Sequence, residues 1–485
     1  MILPDDTPPS PSKVRPSQLP VDRSEPQAQA PPPAYPGYSS YQANQPLYGE
    51  PSTLPLHTRR ERVKSARRRF LQAFAFAVLI YFLVGTFISS LFGLSRHGRW
   101  FNVDKPQQEL EDYLPSGPKP EDGRQERCVK SVQDWERVGN GYIMTSFGLP
   151  LSADALYLFT RGSLSAGTIT VMSDRNLNNK SDMIVDIVAS PFDSTHLNIL
   201  TICSLEKGPG QRGIGIFTPQ RLRLNRGAKF HLAITLRIPS SSSREPLHIQ
   251  SLETSVHDFL IRMTDLVPTV LFDSLSLRTT NSAIIAKGGL SAENATLQTS
   301  NAAIDGVFTT SSSLELITTN HPIEATVTMF NLDYSIPTRL WIKTTNGHLG
   351  SSIYLLSNDG RGGNFDVVAE TTNDPLSITF PTQPIDSALH LQARTKNSLA
   401  SVNLHRSFEG DFSVRSTNAR QIVEADENAE DPDNNRRGKR HVEMKKSRNV
   451  IDGSVVWLGD GDTPRAGKGR VDVRTTNGPA MLRLM

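Results

Sequence analysis

Two cysteines in 485 residues, Cys128 and Cys203, exclude a disulfide-rich scaffold and any cysteine-based zinc cluster. A strong charge of either sign is missing as well, and a formal net charge of +3 gives no whole-chain case for nucleic acid. No HExxH, GxSxG, CxxC or P-loop string occurs. The nearest approach to a P-loop, Gly461 to Gly469, has one residue too many between its glycines and carries Gly469 where Ser or Thr should follow Lys468. Two stretches imitate calcium turns, Gly360 to Asp366 and the pair Asp460 and Asp462, but neither supplies enough fixed oxygen ligands. No catalytic residue, cofactor site or metal site is therefore expected.

Long apolar runs are also absent, with one exception. Phe70 to Leu94 holds 25 residues without a charge, enough as a helix for the roughly 30 Å hydrocarbon core of a bilayer. Arg59, Arg60, Arg62, Lys64, Arg67, Arg68 and Arg69 precede it, and only Arg96, Arg99 and Lys105 follow closely. That bias predicts a single-pass membrane protein with its N-terminus cytosolic and its C-terminal domain extracytoplasmic. The run is too long, and starts too late, for a cleaved signal peptide. Residues 1–69 read as a Pro-rich cytosolic tail that buries too little apolar surface to order itself, ending in the basic juxtamembrane cluster. Inside the tail Pro32, Pro33, Ala34 and Tyr35 spell the PPxY pattern that WW domains bind as a polyproline II segment, which makes a cytosolic WW-domain protein an expected partner. The competing reading is a chance string in a tail rich in Pro and Tyr.

Beyond the membrane run, residues 95–140 are polar, carry Pro106, Pro115, Pro118 and Pro120, and are expected to form a stalk. Alternating apolar runs at 155–159, 168–172, 183–189, 197–205, 214–217 and 230–238 predict strands, read together as a β-rich capping module over 141–245. From 246 to 485 one phrase keeps returning: LSLRTTN, ATLQTSN, LELITTN, LWIKTTN, VVAETTN, LQARTKN, FSVRSTN and VDVRTTN. The copies end at Asn281, Asn301, Asn320, Asn346, Asn373, Asn397, Asn418 and Asn477. The sixth and fourth residues before each Asn are apolar and the second is Thr or Ser, a half-buried strand running into a corner closed by a residue that tolerates left-handed backbone. In the first five copies the chain turns apolar again at Ile284, Ile304, Ile323, Leu349 and Leu376, so a second strand starts there. Two strands per repeat of 19 to 27 residues make one turn of a β-solenoid, whose coils bury apolar faces only by stacking. The expected fold is mainly β: a solenoid or β-helix of about eight to ten coils behind the capping module. A charge-dense insertion at 424–448 is expected to be a disordered loop, with the dibasic pairs Arg436-Arg437 and Lys439-Arg440 open to cleavage, and VDVRTTN to supply the last coil.

The recurring Asn and Thr read as structural rows that satisfy one another's hydrogen bonds inside the solenoid. The row three residues before each Asn is more open to function. Arg278, Lys343, Arg394, Arg415 and Arg474 stand there with Gln298, Ile317 and Glu370, a basic stripe for an anionic polysaccharide or an ordinary solvated face. Asn179 and Asn294 head N-glycosylation sequons. The order of Pro-rich tail, membrane helix, a module opening LPLSADALYLFTRGSLSAGTITV and TTN-type coils resembles a family of fungal, chiefly basidiomycete, single-pass membrane proteins with an adhesin-like β-solenoid domain, over residues 60–485. The resemblance implies a fold and a place at the membrane, and no catalytic residue. Two functions compete. One is a non-enzymatic surface protein, spacer or adhesive, facing an extracellular glycan or cell-wall ligand. The other is a polysaccharide lyase or hydrolase on the same scaffold, which would need carboxylates or a basic group gathered across adjacent coils on one face; equivalent positions of neighbouring coils carry Thr, Ser and mixed charges, with no recurring acidic pair.

Overall fold

The computed structural model describes residues 117–485 apart from 178, 190–196, 198, 221–228, 241–244, 265, 427, 434–437 and 459–467. The tail with Pro32, Pro33 and Tyr35, the Phe70–Leu94 run, residues 95–116, Arg436-Arg437 and the pair Asp460 and Asp462 lie outside them. No helix among the described residues is long and apolar enough to cross a membrane.

Strands dominate from the start. Ahead of the repeats come β1 (Arg124–Val129), β2 (Glu136–Arg137), β3 (Ile143–Pro150), β4 (Ala155–Arg161), β5 (Ser165–Asp174), β6 (Asp182–Ala189), β7 (Thr201–Gly208), β8 (Gln211–Phe217) and β9 (Phe230–Pro239). The repeats supply β10 (Leu247–Ser255), β11 (Asp258–Thr264), β12 (Val270–Arg278), β13 (Ile284–Gln298), β14 (Ile304–Ile317), β15 (Ile323–Asn331), β16 (Thr338–Lys343), β17 (Leu349–Ser357), β18 (Asn364–Glu370), β19 (Leu376–Thr382), β20 (Ala388–Arg394), β21 (Ala400–Leu404), β22 (Gly410–Ser416) and β23 (Gln421–Ala425). β24 (Lys439–Lys446), β25 (Val450–Leu458), β26 (Gly469–Thr475) and β27 (Ala480–Leu484) complete the chain. The second strand begins where the sequence places it, at Ile284, Ile304, Ile323, Leu349 and Leu376.

Parallel pairing stacks these strands on two faces. Face A holds the strands that run into the corner, eight of which lead to the repeat's Asn, in the order β8, β4, β10, β12, β13, β14, β16, β18, β20, β26, β22. Face B holds those that leave it, in the order β9, β5, β11, β13, β14, β15, β17, β19, β21, β27, β23. The long strands β13 and β14 belong to both. Between the faces lies the core: Leu277, Leu297, Leu316, Ile342, Ala369, Ala393, Val414 and Val473, the fourth residue before each Asn, are all fully buried. Each Leu or Ile sealed there contributes about 1.5–3 kcal/mol relative to exposure.

The ends differ from the expectation in four ways. Residues assigned to the stalk are folded from Pro120 onward, because β1 pairs antiparallel with β7. The capping module does close the solenoid, through antiparallel β7 on face A and β6 and β3 on face B, yet β4 with β5 and β8 with β9 are coils of the solenoid itself, which makes eleven. A coil needs inward alternation, not the Asn phrase. The phrase VDVRTTN is not the last coil: β26 and β27 slot between the coil of β20 and β21 and that of β22 and β23. Finally, the charged insertion starts within β23 and is strand again over Lys439–Lys446, the latter pairing antiparallel with β25, which in turn covers β22. An edge strand wet on most of its surface needs no apolar period, and its charges discourage pairing with another chain.

Candidate functional site

The corners are built from two different rows. The Thr or Ser two residues before each Asn points inward and is buried, and from the second copy on its hydroxyl donates to the carbonyl of the residue just after the Asn of the neighbouring coil: Thr299 Oγ1 to Ser282 at 2.9 Å, Thr318 to Ala302 at 2.8 Å, Thr344 to His321 at 3.0 Å, Thr371 to Gly347 at 3.1 Å and Thr395 to Asp374 at 3.2 Å. The Asn row lies outside. All eight corner amides are exposed, and each donates from Nδ2 to the Oδ1 of the next: Asn301 to Asn281 at 2.8 Å, Asn320 to Asn301 at 2.7 Å, Asn346 to Asn320 at 2.8 Å, Asn397 to Asn373 at 2.7 Å, with Asn373 on Asn346 between them. Asn477 then donates to Asn397 at 2.7 Å and Asn418 to Asn477 at 2.8 Å. At the other end Asn281 donates to Asp258, whose second oxygen takes the Lys229 ammonium at 2.6 Å. The expected left-handed corner is not found: among the described residues Asp386 is the single non-glycine at positive φ. The Asn is there for the ladder rather than for its backbone.

The basic stripe on face A is broken by its own neighbours. Glu370 lies 3.8 Å from Lys343 and 3.7 Å from Arg394, Arg474 pairs with Asp472 at 2.6 Å, and Arg415 stands 3.8 Å from Asp452. Lys343 also sits 5.8 Å over the Trp341 ring. Around the calcium-like turn, Asp366 is engaged by His390 at 3.2 Å, and no group of three His, Cys, Asp or Glu is gathered as a metal site among the described residues.

Face B carries a trough of about 540 Å³ crossing β13, β14, β15, β17 and β19. Its floor is small and polar, with Gly306, Gly350, Ser351, Ser352, Ser377 and Thr379. The rim holds Asp305 and Glu324, register partners in successive coils and so an acidic pair that the repeat phrase, confined to face A, does not display. Lys287 reaches Asp305 at 2.9 Å, and His348 contacts Glu324. Counting one residue on from the Ile that opens β14 and β15 would have exposed the pair.

Both sequon asparagines are exposed. Asn179 caps the turn before β6, its Oδ1 accepting from the Ser181 amide and hydroxyl at 3.0 and 2.7 Å, while Asn294 sits on the outer side of β13. Cys128 and Cys203 are register partners on β1 and β7 and form a disulfide. Arg440 of the second dibasic pair is half-buried and donates to the Met485 carbonyl at 2.9 Å.

No protein-family model and no curated protein matches the chain. Among solved structures it is similar to the crystal structure of a proposed cell adhesion protein from Clostridium sporogenes, at 10% identity and a TM-score of 0.14, over 70% of this chain and 98% of that one. At that TM-score the likeness carries no conclusion about function.

Proposed function

We propose that the chain is a single-pass membrane protein that displays a non-enzymatic, adhesin-like solenoid outside the cytosol and holds a polymeric glycan along the face B trough. The observation that carries this reading is the trough itself. Five coils spaced about 4.8 Å apart line up hydroxyls and glycines in the direction of stacking, which suits a repeating chain of sugar hydroxyls better than a compact ligand. The rim carboxylates are engaged by Lys287 and His348, an arrangement for binding rather than for proton transfer. A disulfide between β1 and β7 and two exposed sequons agree with an oxidising, secretory-pathway compartment. On the cytosolic side, the PPAY segment recruits a WW-domain protein through Tyr35, and Tyr35→Ala weakens a tail peptide at least about tenfold, 1.4 kcal/mol. The test of the main reading is a glycan array probed with the full chain, run beside a turnover assay on the same sugars. Binding that Ser352→Trp abolishes supports it; an empty array, or release of product, overturns it. The second reading, a polysaccharide lyase or hydrolase, has one observation in its favour, the adjacency of Asp305 and Glu324. It requires product that disappears in both Asp305→Asn and Glu324→Gln.

A further inference from the structure

Face A carries a separate recess of about 570 Å³ at its N-terminal end, between the 3-10 turn Pro120–Asp122 and strands β4, β8, β10 and β12. Its floor is aromatic. In β4, Leu156 and Leu158 face the core, so strand alternation turns Tyr157 and Phe159 outward, where their rings stack at 6.2 Å and 29°. Opposite them in β8 stand Gly213 and Gly215. A Cβ at Gly213 would overlap the Tyr157 ring, so the absence of a side chain is what lets that ring lie down along the sheet. The wall is fixed too: Arg161 ties Asp122 of the turn at 2.6 Å and rests 5.8 Å from the Phe159 ring.

On the far side, Glu253 is in register with Tyr157, Ser255 with Phe159, and Arg278 with Ser255. Glu253 and Arg278 flank the floor from adjacent coils, and neither makes an ion pair among the described residues, whereas most of the face A charges further along are paired. Gln211 adds an amide. These groups discriminate between ligand classes. A wholly apolar ligand would desolvate Glu253 and Arg278 without a partner. A phosphate would gain Lys207 and Arg278 but meet the Glu253 and Glu121 carboxylates, and a quaternary ammonium would meet the same two cations. A pyranose offends neither, since its C–H face meets the negative π face of the rings while its hydroxyls both give to a carboxylate and accept from a guanidinium. Burial pushes the Tyr157 phenol up to about 12, and its hydroxyl oxygen is closed off from solvent, so the residue presents its ring to the recess and not its hydroxyl.

We propose that this recess is a binding site for a single pyranose ring, stacked on Tyr157 and Phe159 and held by Glu253, Arg278 and Gln211. It stands independently of the trough, which lies on the other face. The experiment is saturation-transfer NMR on the full chain in a sugar-free detergent with a panel of methyl pyranosides. Transfer to the ring C–H protons of at least one member is expected, with binding weakened at least tenfold by Tyr157→Ala and by Glu253→Gln. Because Tyr157→Ala removes packing, the isosteric Glu253→Gln at a matching melting temperature is the deciding variant. No transfer from any pyranoside, or a signal indifferent to Glu253→Gln, overturns the site. Failure of the trough reading alone would show as no array binding sensitive to Ser352→Trp, with this signal intact.

Discussion

In the middle of the solenoid the order of coils along the chain is the order in which they stack; at both ends it is not. From Asn301 to Asn397 each corner amide donates to the Asn of the preceding repeat, 19 to 27 residues back. At the C-terminal end Asn477 reaches back 80 residues to Asn397, and Asn418 donates forward to Asn477, 59 residues on. At the N-terminal end β8 and β9 lie outside β4 and β5, which precede them in sequence. The difference teaches what a repeat phrase encodes. It specifies a cross-section, meaning which side chains face in and where the corner falls, and leaves the identity of the neighbour open because every coil offers the same ladders. Neighbours at the ends are chosen by hairpins that cover raw edges, as β25 covers β22.

The sharpest way to break this comparison is a cross-link. His390 and Arg470 are exposed register partners, and so are Arg470 and Asp411, so His390 and Asp411 are two coils apart. With coils about 4.8 Å apart, His390→Cys with Arg470→Cys should oxidise to a disulfide, and His390→Cys with Asp411→Cys, near 9.6 Å by the same spacing, should not. Bonding in the second pair alone would restore chain order. Next in size is the N-terminal closure. Replacing Cys128 and Cys203 by Ala opens a loop of 75 residues and should cost about 2–4 kcal/mol. In a stack coupled through nearest neighbours the loss should stay local: amide exchange should quicken in β1 and β7 and hold steady in β15. Equal quickening in β15 would mean that the ends and the middle form one cooperative unit.

Much of the middle was legible before any coordinates. The row from Leu277 to Val473 and the strand starts at Ile284, Ile304 and Ile323 follow from period two alone. The side taken by the Asn did not follow. Counting by two from Leu277 through Thr279 puts Asn281 inside, but β12 ends at Arg278, and past a strand's end alternation no longer dictates direction. The trough was hidden because the repeat phrase lies on face A, and the Tyr157 recess because its wall comes from residues that looked like a stalk. The inserted coil was hidden because a phrase in a sequence carries no address in a stack.

The two corner rows supply the next test. Thr344→Val keeps the shape and removes the donor to the His321 carbonyl, leaving a part-buried acceptor unsatisfied, and should cost about 1–3 kcal/mol by chemical denaturation. Asn346→Ala breaks two exposed ladder bonds that water can replace, so about 0.5–1.5 kcal/mol is expected. Lys343→Ser should stay within about 0.5 kcal/mol. A larger loss at Asn346 than at Thr344 would put the amide row, rather than the hydroxyl row, in charge of the corner.

The smallest effect belongs to the place where the ladder stops. Asp258 takes the first amide, from Asn281 at 2.7 Å, and the Lys229 ammonium at 2.6 Å. Burial by itself would raise its carboxyl, but the hydrogen bonds from Lys229 and Asn281, with the Lys229 charge, outweigh burial and hold it below the usual carboxylate range. A carboxyl lowered in the folded chain stabilises the fold fully above its unfolded value of about 3.9 and loses that contribution as pH falls through the folded value. Asp258→Asn removes the titration while still offering Asn281 an oxygen, so it continues the amide row by one member and leaves Lys229 without its anion. The melting temperature of the parent chain should therefore fall faster than that of Asp258→Asn as the pH is taken from about 4 downward. Above that window the parent should be the more stable of the two, by a margin that shrinks with added salt because the Lys229 pair is partly exposed. Parallel melting curves across that window would mean that the ladder ends on an oxygen of any kind, and that the charge of Asp258 contributes nothing to it.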